Sequence, residues 1–501
     1  MVRIAFLNPQ GNFDKNDLYW TEHPDFGGQL VYVKEVAISL AKLGVKVDII
    51  TRQIIDEDWP GFEGKFDLYE GVDGVRIIRL PFGGEKFLNK EKLWPYLHEY
   101  VDNIIKLYEE EGEWPDFFTT HYGDGGIAGA MLYERTDIPF TFTGHSLGAQ
   151  KMDKLNVNVD TIEEMNEKYN FALRIMAERI SMANSAVNIV STSQERFGQY
   201  SHRAYNGAID VEKEEKFAVI PPGVNTELFN KDKENDQDSV IKEKVEKMFK
   251  RDLNEDRQNM PAIIAASRLD PKKNHIGLVK AYAQSEELQK KCNLVITLRG
   301  IDNPFEDYSM AKGDEKAILD EIMDIIDKYN LKGKVSMFSL NSQKQLAACY
   351  REFARRKSVF ALTALYEPFG LAPIEAMACG LPAVVTKNGG PSEVLYENGE
   401  EFGVLVDPSN PDDIAKGLLK VFKNQASYNN YQQAGIERVF SKYTWDSTAK
   451  SYLDIINKKL EEAKENKSFA NIEIHPYFKK PTEKEPVSLE WLKATYLEED
   501  K

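Results

Sequence analysis

Short apolar runs separated by stretches of helical periodicity recur along most of this chain, and that alternation admits few folds. The first run, Arg3-Ile-Ala-Phe-Leu7, reads as a buried strand and leads into a Gly/Asp/Asn-rich stretch through Gly28. From Gln29 onward Val33, Val36, Ala37, Leu40 and Ala41 recur at helical spacing, Gly44 stands where a helix ends, and residues 45–51 form a second strand. Strand, helix, strand of these lengths is a βαβ unit, which builds a parallel sheet covered by helices.

The rhythm continues through 75–80, 117–120, 140–143, 189–192 and 217–220, and Pro221-Pro222-Gly223 then breaks it. After a charged stretch over 231–257, read as a solvated helix face, it restarts at 262–266 and repeats at 294–298, 335–338, 359–362, 383–385 and 403–406. The chain is therefore expected to be α/β, with two Rossmann-like doubly wound domains, 1–222 and 223–445, hinged near Pro221. A Lys/Glu-rich tail carrying apolar Val487, Leu489, Trp491, Leu492 and Tyr496 suggests that 446–501 is helical and packs back on the first domain. A length of 501 residues fits two or three domains at about 150 residues each.

Lys plus Arg is 64 against 81 for Asp plus Glu, a net charge of −17, which disfavours nucleic acid as a partner. In such a chain an anionic ligand must be held by local cations, backbone amides or helix ends. The 3 cysteines form no C-x-x-C pair and the 7 histidines show no H-E-x-x-H spacing, so no metal site is expected. No apolar run approaches the roughly 20 residues a membrane helix needs. The expectation is a cytoplasmic protein without membrane contact.

Doubly wound domains direct the carboxyl ends of their strands toward a shared central cleft, so loops after strands carry most weight. The richest is Glu367-Pro-Phe-Gly-Leu-Ala-Pro-Ile-Glu375, after the strand at 359–362 and before Ala376-Met-Ala-Cys-Gly380. Pro373 suits the first turn of a helix and Gly380 its end. Gly370 lets a ligand approach the backbone, and the free amides of the helix start suit a diphosphate. Glu375, expected in that first turn, would oppose a phosphate and so should meet neutral hydroxyls such as those of a ribose, while Glu367 suits a sugar. Either glutamate alone reads as a dipole complement or as surface; bracketing Pro-Phe-Gly-Leu, the two together point to a ligand.

A second loop, Ser267-Arg-Leu-Asp-Pro-Lys-Lys-Asn274, follows the strand at 262–266 and sets Arg268 to fork onto phosphate oxygens and Lys273 to act as a point charge on a departing diphosphate. Alone it reads as a solvated loop with Asn274 capping the next helix. In the first domain Asp25-Phe-Gly-Gly-Gln29 opens a helix, where it reads equally as a tight turn or as glycines admitting a ligand. Thr143-Gly-His-Ser-Leu-Gly148 follows a strand and leads to Lys151. His145 stands at that strand end, suited to a sugar hydroxyl, although a lone histidine is more often structural.

Taken together the two second-domain loops resemble the retaining GT-B glycosyltransferases, with Glu367 and Glu375 matching their E-x7-E motif and Arg268 and Lys273 their R-x4-K positions. The resemblance covers both domains and implies a catalytic set of His145, Arg268, Lys273 and Glu367. It implies that Arg268 and Lys273 hold the diphosphate of a nucleotide sugar and that Glu367 holds the donor sugar with the backbone at Phe369, Gly370 and Leu371. Glu375 would hold the ribose.

Phe26-Gly-Gly-Gln-Leu-Val-Tyr-Val-Lys-Glu35 and the Thr-Gly-His-Ser-Leu-Gly run are similar to those of sucrose-phosphate synthases. That resemblance implies transfer of glucose from UDP-glucose to fructose 6-phosphate, with retention, giving sucrose 6-phosphate and UDP. UDP-glucose would be a co-substrate, with no tightly bound cofactor and no metal. By the same resemblance Gly27, Gly28 and Gln29 face the fructose, Gly28 and His145 the donor glucose, and Lys90, Tyr122, Ser146, Lys151 and Arg174 complete the acceptor site, Lys151 and Arg174 gripping the phosphate. The plant enzymes carry paired arginines where this chain reads Leu173-Arg-Ile-Met-Ala-Glu178, so only Arg174 remains. No phosphatase-like segment follows Asn457, so a separate sucrose-phosphate phosphatase is expected as a partner.

Gly123-Asp-Gly-Gly-Ile-Ala128 also fits a dinucleotide fingerprint, but it is not on the first strand of its domain and reads instead as close packing. The competing functions are a sucrose synthase or another retaining GT-B enzyme with a different acceptor, and a nucleotide-sugar sensor without turnover. Base preference leaves no side-chain mark near 338–342.

Overall fold

In the computed structural model, which describes residues 2–18, 28–465 and 468–497, the chain divides into two compact units. One holds the residues up to Pro221 and those from Thr448 onward; the other is Pro222–Ser447. Asp25, Phe26 and Gly27 lie outside the described residues.

The first unit is built on β1 (Arg3–Leu7), β2 (Lys46–Arg52), β3 (Phe66–Asp67), β4 (Val75–Leu80), β5 (Phe117–His121), β6 (Phe140–Thr143), β7 (Val187–Val190) and β8 (Phe217–Val219). Their spatial order is β3-β4-β2-β1-β5-β6-β7-β8. All neighbours are parallel except the short β3, which runs against β4. β1 lies between β2 and β5, with Ile4 opposite Val47 on one side and Phe117 on the other. Covered on both faces, it is apolar from its second residue on: Ile4, Ala5, Phe6 and Leu7 are fully buried, and the buried Arg3 at its start donates to Asp48.

Six helices matter for the site: α1 (Gly28–Lys42), α2 (Leu97–Glu111), α3 (Tyr122–Thr136), α4 (Gly148–Lys154), α5 (Ile162–Tyr169) and α6 (Phe171–Asn184). The glycines of the 123–128 stretch let α3 sit against the sheet and α6. A Cβ on Gly125 would stand 2.7 Å from the Leu7 carbonyl oxygen, and one on Gly126 would stand 2.3 Å from Ser181 Oγ.

Residues beyond Thr448 contribute to this unit's core. Tyr452, on the helix Trp445–Lys464, is fully buried, and Asn184 Nδ2 donates to the Ile472 carbonyl at 2.8 Å. The Trp94 and Phe478 rings lie 6.3 Å apart. The helix Leu489–Tyr496 buries Leu492 and Tyr496, whose hydroxyl donates to Asp153 at 2.6 Å.

The second unit carries β9 (Ala262–Ala266), β10 (Asn293–Leu298), β11 (Val335–Ser339), β12 (Val359–Leu362), β13 (Ala383–Thr386), the small hairpin β14 (Tyr396–Glu397) and β15 (Glu400–Glu401), and β16 (Val404–Val406). Its main sheet is parallel, in the order β11-β10-β9-β12-β13-β16. Within the charged stretch, the helix Asp238–Asp252 turns Ile241, Val245, Met248 and Phe249 inward and leaves most of its charges to solvent.

Two local expectations need correction. The strand expected at 189–192 runs over Val187–Val190, because Thr192 leaves the sheet to cap the following helical turn, its Oγ1 accepting from the Glu195 amide at 3.0 Å. β3 and the hairpin at 396–401 were not expected: strands of two residues carry no alternation to read.

Gly125→Ala places its Cβ against a backbone oxygen that cannot rotate away, so the variant is expected to lose about 1–3 kcal/mol of stability. A lowered urea midpoint with unchanged slope checks this; an unchanged midpoint contradicts it.

Candidate active site

In each sheet the strand order reverses at one place, between β1 and β5 in the first unit and between β9 and β12 in the second. Loops leaving the carboxyl ends of those strands diverge and open a crevice. Lys90, Tyr122, Ser146, Lys151 and Arg174 gather at the first of these places, and Arg268, Lys273 and Glu367 at the second.

In the first unit a cavity of about 220 Å³ opens there, and Lys90, Tyr122, Ser146, Lys151 and Arg174 all line it. They come from separate elements: Tyr122 starts α3 after β5, Ser146 follows β6, Lys151 is on α4 and Arg174 on α6. Gln10, Glu91, Trp94, Gly123, Asp124 and Tyr169 complete the lining. The Lys151 ammonium lies 3.8 Å from the centroid of the Tyr169 ring, a cation–π contact. Arg174 Nε donates to Glu178 Oε1 at 2.9 Å and its Nη2 donates to the Ser146 carbonyl. Glu178 is wholly buried and also accepts from the Gly148 amide and the Tyr205 hydroxyl. The arginine is thus aimed by a buried carboxylate before any ligand arrives. Burial pushes the Asp124 carboxyl up to about 6.

His145 sits in the left-handed region at φ 52°, in a tight turn where the Ser146 amide donates to the Gly144 carbonyl. Its Nε2 lies 2.8 Å from His121 Nδ1, with the two rings stacked. Enclosure pushes the His145 imidazole down to about 3 and His121 well below its ordinary value, so both are neutral at physiological pH. Gly28 begins α1, and among the described residues nothing lies within 4 Å of where its Cβ would stand. Gln29 is buried, and its amide donates to Asn8 Oδ1 at 3.0 Å, so it does not line the cavity. Gly27 lies outside the described residues.

In the second unit the loops after β9 and β12 meet through an ion pair, Lys273 Nζ to Glu367 Oε2 at 2.7 Å. Arg268 is exposed on the same loop as Lys273. Asn274 caps the next helix by accepting from the Gly277 amide, and its Nδ2 donates to the Thr363 and Pro408 carbonyls, which pins this loop to the end of β12. Gly370, at φ 107°, turns the chain into the helix Leu371–Ala378, whose first amides are free for an anion. Phe369 is buried against Tyr443, and Leu371 is exposed.

The expected place of Glu375 needs correction. The helix starts at Leu371, so Glu375 lies in its second turn rather than its first. Burial pushes its carboxyl up to about 8, so at neutral pH it is a hydrogen-bond donor as well as an acceptor.

Several contributors were not read from sequence. His121 ends a strand with no motif around it. Gln10 follows β1, where position beyond a central strand was the available clue. Asn388-Gly-Gly-Pro391 backs the 367–370 loop: the Glu367 amide donates to the Asn388 carbonyl, and a Cβ on Gly389 would lie 2.1 Å from the Glu367 oxygen.

Residues 1–249 match the family described as sucrose synthase first GT-B domain, and residues 246–438 that of glycosyl transferases group 1. A probable sucrose-phosphate synthase of Thermosipho melanesiensis is 46% identical over 459 residues, spanning 91% of this chain and 97% of that protein. The chain belongs to the sucrose-phosphate synthase family. A probable sucrose-phosphate synthase of Vicia faba is 33% identical over 515 residues, covering 90% of this chain and 47% of that protein, so the chain spans about half the length of this plant relative. Among solved structures, sucrose-phosphate synthase from Thermosynechococcus elongatus has a TM-score of 0.59 at 24% identity, over 92% of this chain and 100% of that one, a likeness of fold. As a sucrose-phosphate synthase family member with a GT-B fold, the protein is a glycosyltransferase.

The burial of Glu375 can be tested by pH. Its folded value near 8 exceeds the ordinary 4.5, so the native chain keeps a proton that the unfolded chain releases. The resulting stabilisation is full below the unfolded value and is lost as pH rises through about 8. Glu375→Gln removes the titrating group, so its stability relative to wild type should rise between about pH 5 and 8. Urea midpoints of both proteins across that range measure it; a difference that does not change with pH contradicts it.

Proposed function

We propose that this chain transfers glucose from UDP-glucose to fructose 6-phosphate, with retention at the anomeric carbon, releasing sucrose 6-phosphate and UDP. The observation that carries the reading is the cavity at the β1/β5 reversal, where Lys90, Lys151 and Arg174 converge in a chain of net charge −17. Glu91 and Asp124 line the same cavity, so three cations face two carboxyl groups there; that excess of cations suits a dianionic phosphate, and the aromatic and hydroxyl groups beside it suit a sugar. Lys151 and Arg174 would hold the phosphate, with Lys90, Tyr122 and Ser146 beside them. Gly27, Gly28 and Gln29 are assigned to the fructose by the family resemblance.

In the second unit, Arg268, Lys273 and the amides of the helix Leu371–Ala378 would hold the diphosphate, Glu367 and the backbone at 369–371 the glucose, and Glu375 the ribose. Contact with His121 occupies Nε2 of His145, so Nδ1 is the nitrogen left for a hydroxyl of the glucose. In this scheme the C1–O bond to UDP breaks, the acceptor's anomeric oxygen bonds to C1 on the same face, and its proton passes to the departing phosphate oxygen. The protein supplies positioning, worth up to roughly 7–11 kcal/mol, and stabilisation of the leaving charge. A separate phosphatase would release free sucrose.

A donor-by-acceptor matrix with UDP-glucose, ADP-glucose, fructose and fructose 6-phosphate tests the assignment. Turnover should be highest with UDP-glucose and the phosphate ester; equal rates with free fructose would sink it. Lys151→Ala should raise the KM for fructose 6-phosphate by about tenfold, equivalent to about 1.4 kcal/mol, with donor KM nearly unchanged. Equal loss for both substrates would count against a phosphate role for Lys151.

A further inference from the structure

We infer that Tyr452, from the chain segment that follows the second unit, is a positioning residue for His145. The inference rests on the proposed role of His145 toward the transferred sugar. Tyr452 is fully buried, and its hydroxyl meets two groups at once: the Tyr32 hydroxyl donates to it at 2.9 Å, and Thr143 Oγ1 lies 3.2 Å away. Both lead to His145. Thr143 ends β6 two residues before the histidine, and the Tyr32 ring stands edge-on to the imidazole with centroids 5.1 Å apart at 81°. The same ring meets His121 at 6.0 Å, so it touches both members of the histidine pair.

The turn that needs holding is an uncommon one. His145 occupies left-handed backbone space, which a residue with a Cβ adopts only where its surroundings determine it. The Tyr200 hydroxyl accepts from the Gly144 amide and fixes the turn from one side. Tyr452 fixes it from the other, through the strand end and through the ring that limits the tilt of the imidazole. Burial keeps the Tyr452 and Tyr32 phenols protonated through the physiological range, so these hydroxyl contacts persist across it. Ordinary core packing would require only the ring of Tyr452; the meeting of three hydroxyls beside the histidine turn is what that account leaves over.

Tyr452→Phe keeps the ring and deletes the oxygen. The expected result is a fall in kcat of roughly five- to tenfold with KM for fructose 6-phosphate within about twofold, because only alignment changes. In a His145→Ala background the same substitution should lower kcat no further, since the two act as one unit. Equal losses in both backgrounds would overturn the inference. A readout independent of turnover is the imidazole resonance of His145 in the full-length protein labelled with 15N-histidine and assigned by its loss in His145→Ala. Tyr452→Phe should move it, and an unmoved resonance also overturns the inference. If His145→Ala leaves kcat at the wild-type value, the catalytic reading of His145 fails instead, whether or not the resonance moves.

Discussion

Parallel strands can be joined only by crossovers, so every strand of a parallel sheet ends at the same edge. That constraint places chemistry that is far apart in sequence side by side. In the first unit it brings the ends of β1, β5 and β6 together, and with them Gln10, Tyr122 and Ser146. In the second it sets the loop after β9 beside the loop after β12, so that Lys273 and Glu367 touch across 94 residues of sequence. The glycines complement the arrangement: Gly125 and Gly126 let α3 approach the sheet and α6, and Gly389 lets a second backbone segment lie against Glu367.

The acidic composition of the chain is handled locally. Arg174 points at Glu178 and Lys273 at Glu367, so these cations are oriented in the absence of a ligand. A cation held in this way gives up little side-chain freedom on meeting an anion. Lys151 lies over an aromatic face, that of Tyr169. The histidine pair adds polarity without charge, since both rings are kept neutral.

Much of this was legible from residue patterns because buried parallel strands are rich in apolar residues and glycines mark where helices end. The strands at 262–266 and 359–362 lie where the apolar runs place them. The five residues Lys90, Tyr122, Ser146, Lys151 and Arg174 line one cavity although family resemblance rather than spacing selected them. What sequence withheld was relational. Nothing in Thr-Thr-His121 announces that its ring will stack on a histidine 24 positions later. Nothing near Tyr452 announces a partner 420 positions earlier. The start of the helix at Leu371 depends on the φ of Gly370, which moved Glu375 out of the first turn.

The first unit is discontinuous: its chain departs at Pro221 and resumes at Thr448. Synthesis runs from the amino end, so a ribosome finishes residues 222–447 before it delivers Tyr452, Phe478 and Leu492. Until then the nascent first unit lacks the side chains that cover Tyr32 and Trp94. Its partner unit, contiguous in sequence, faces no such wait and can complete its own core during translation. Completion of the first unit's core therefore waits on residues that follow the whole of the second unit in sequence.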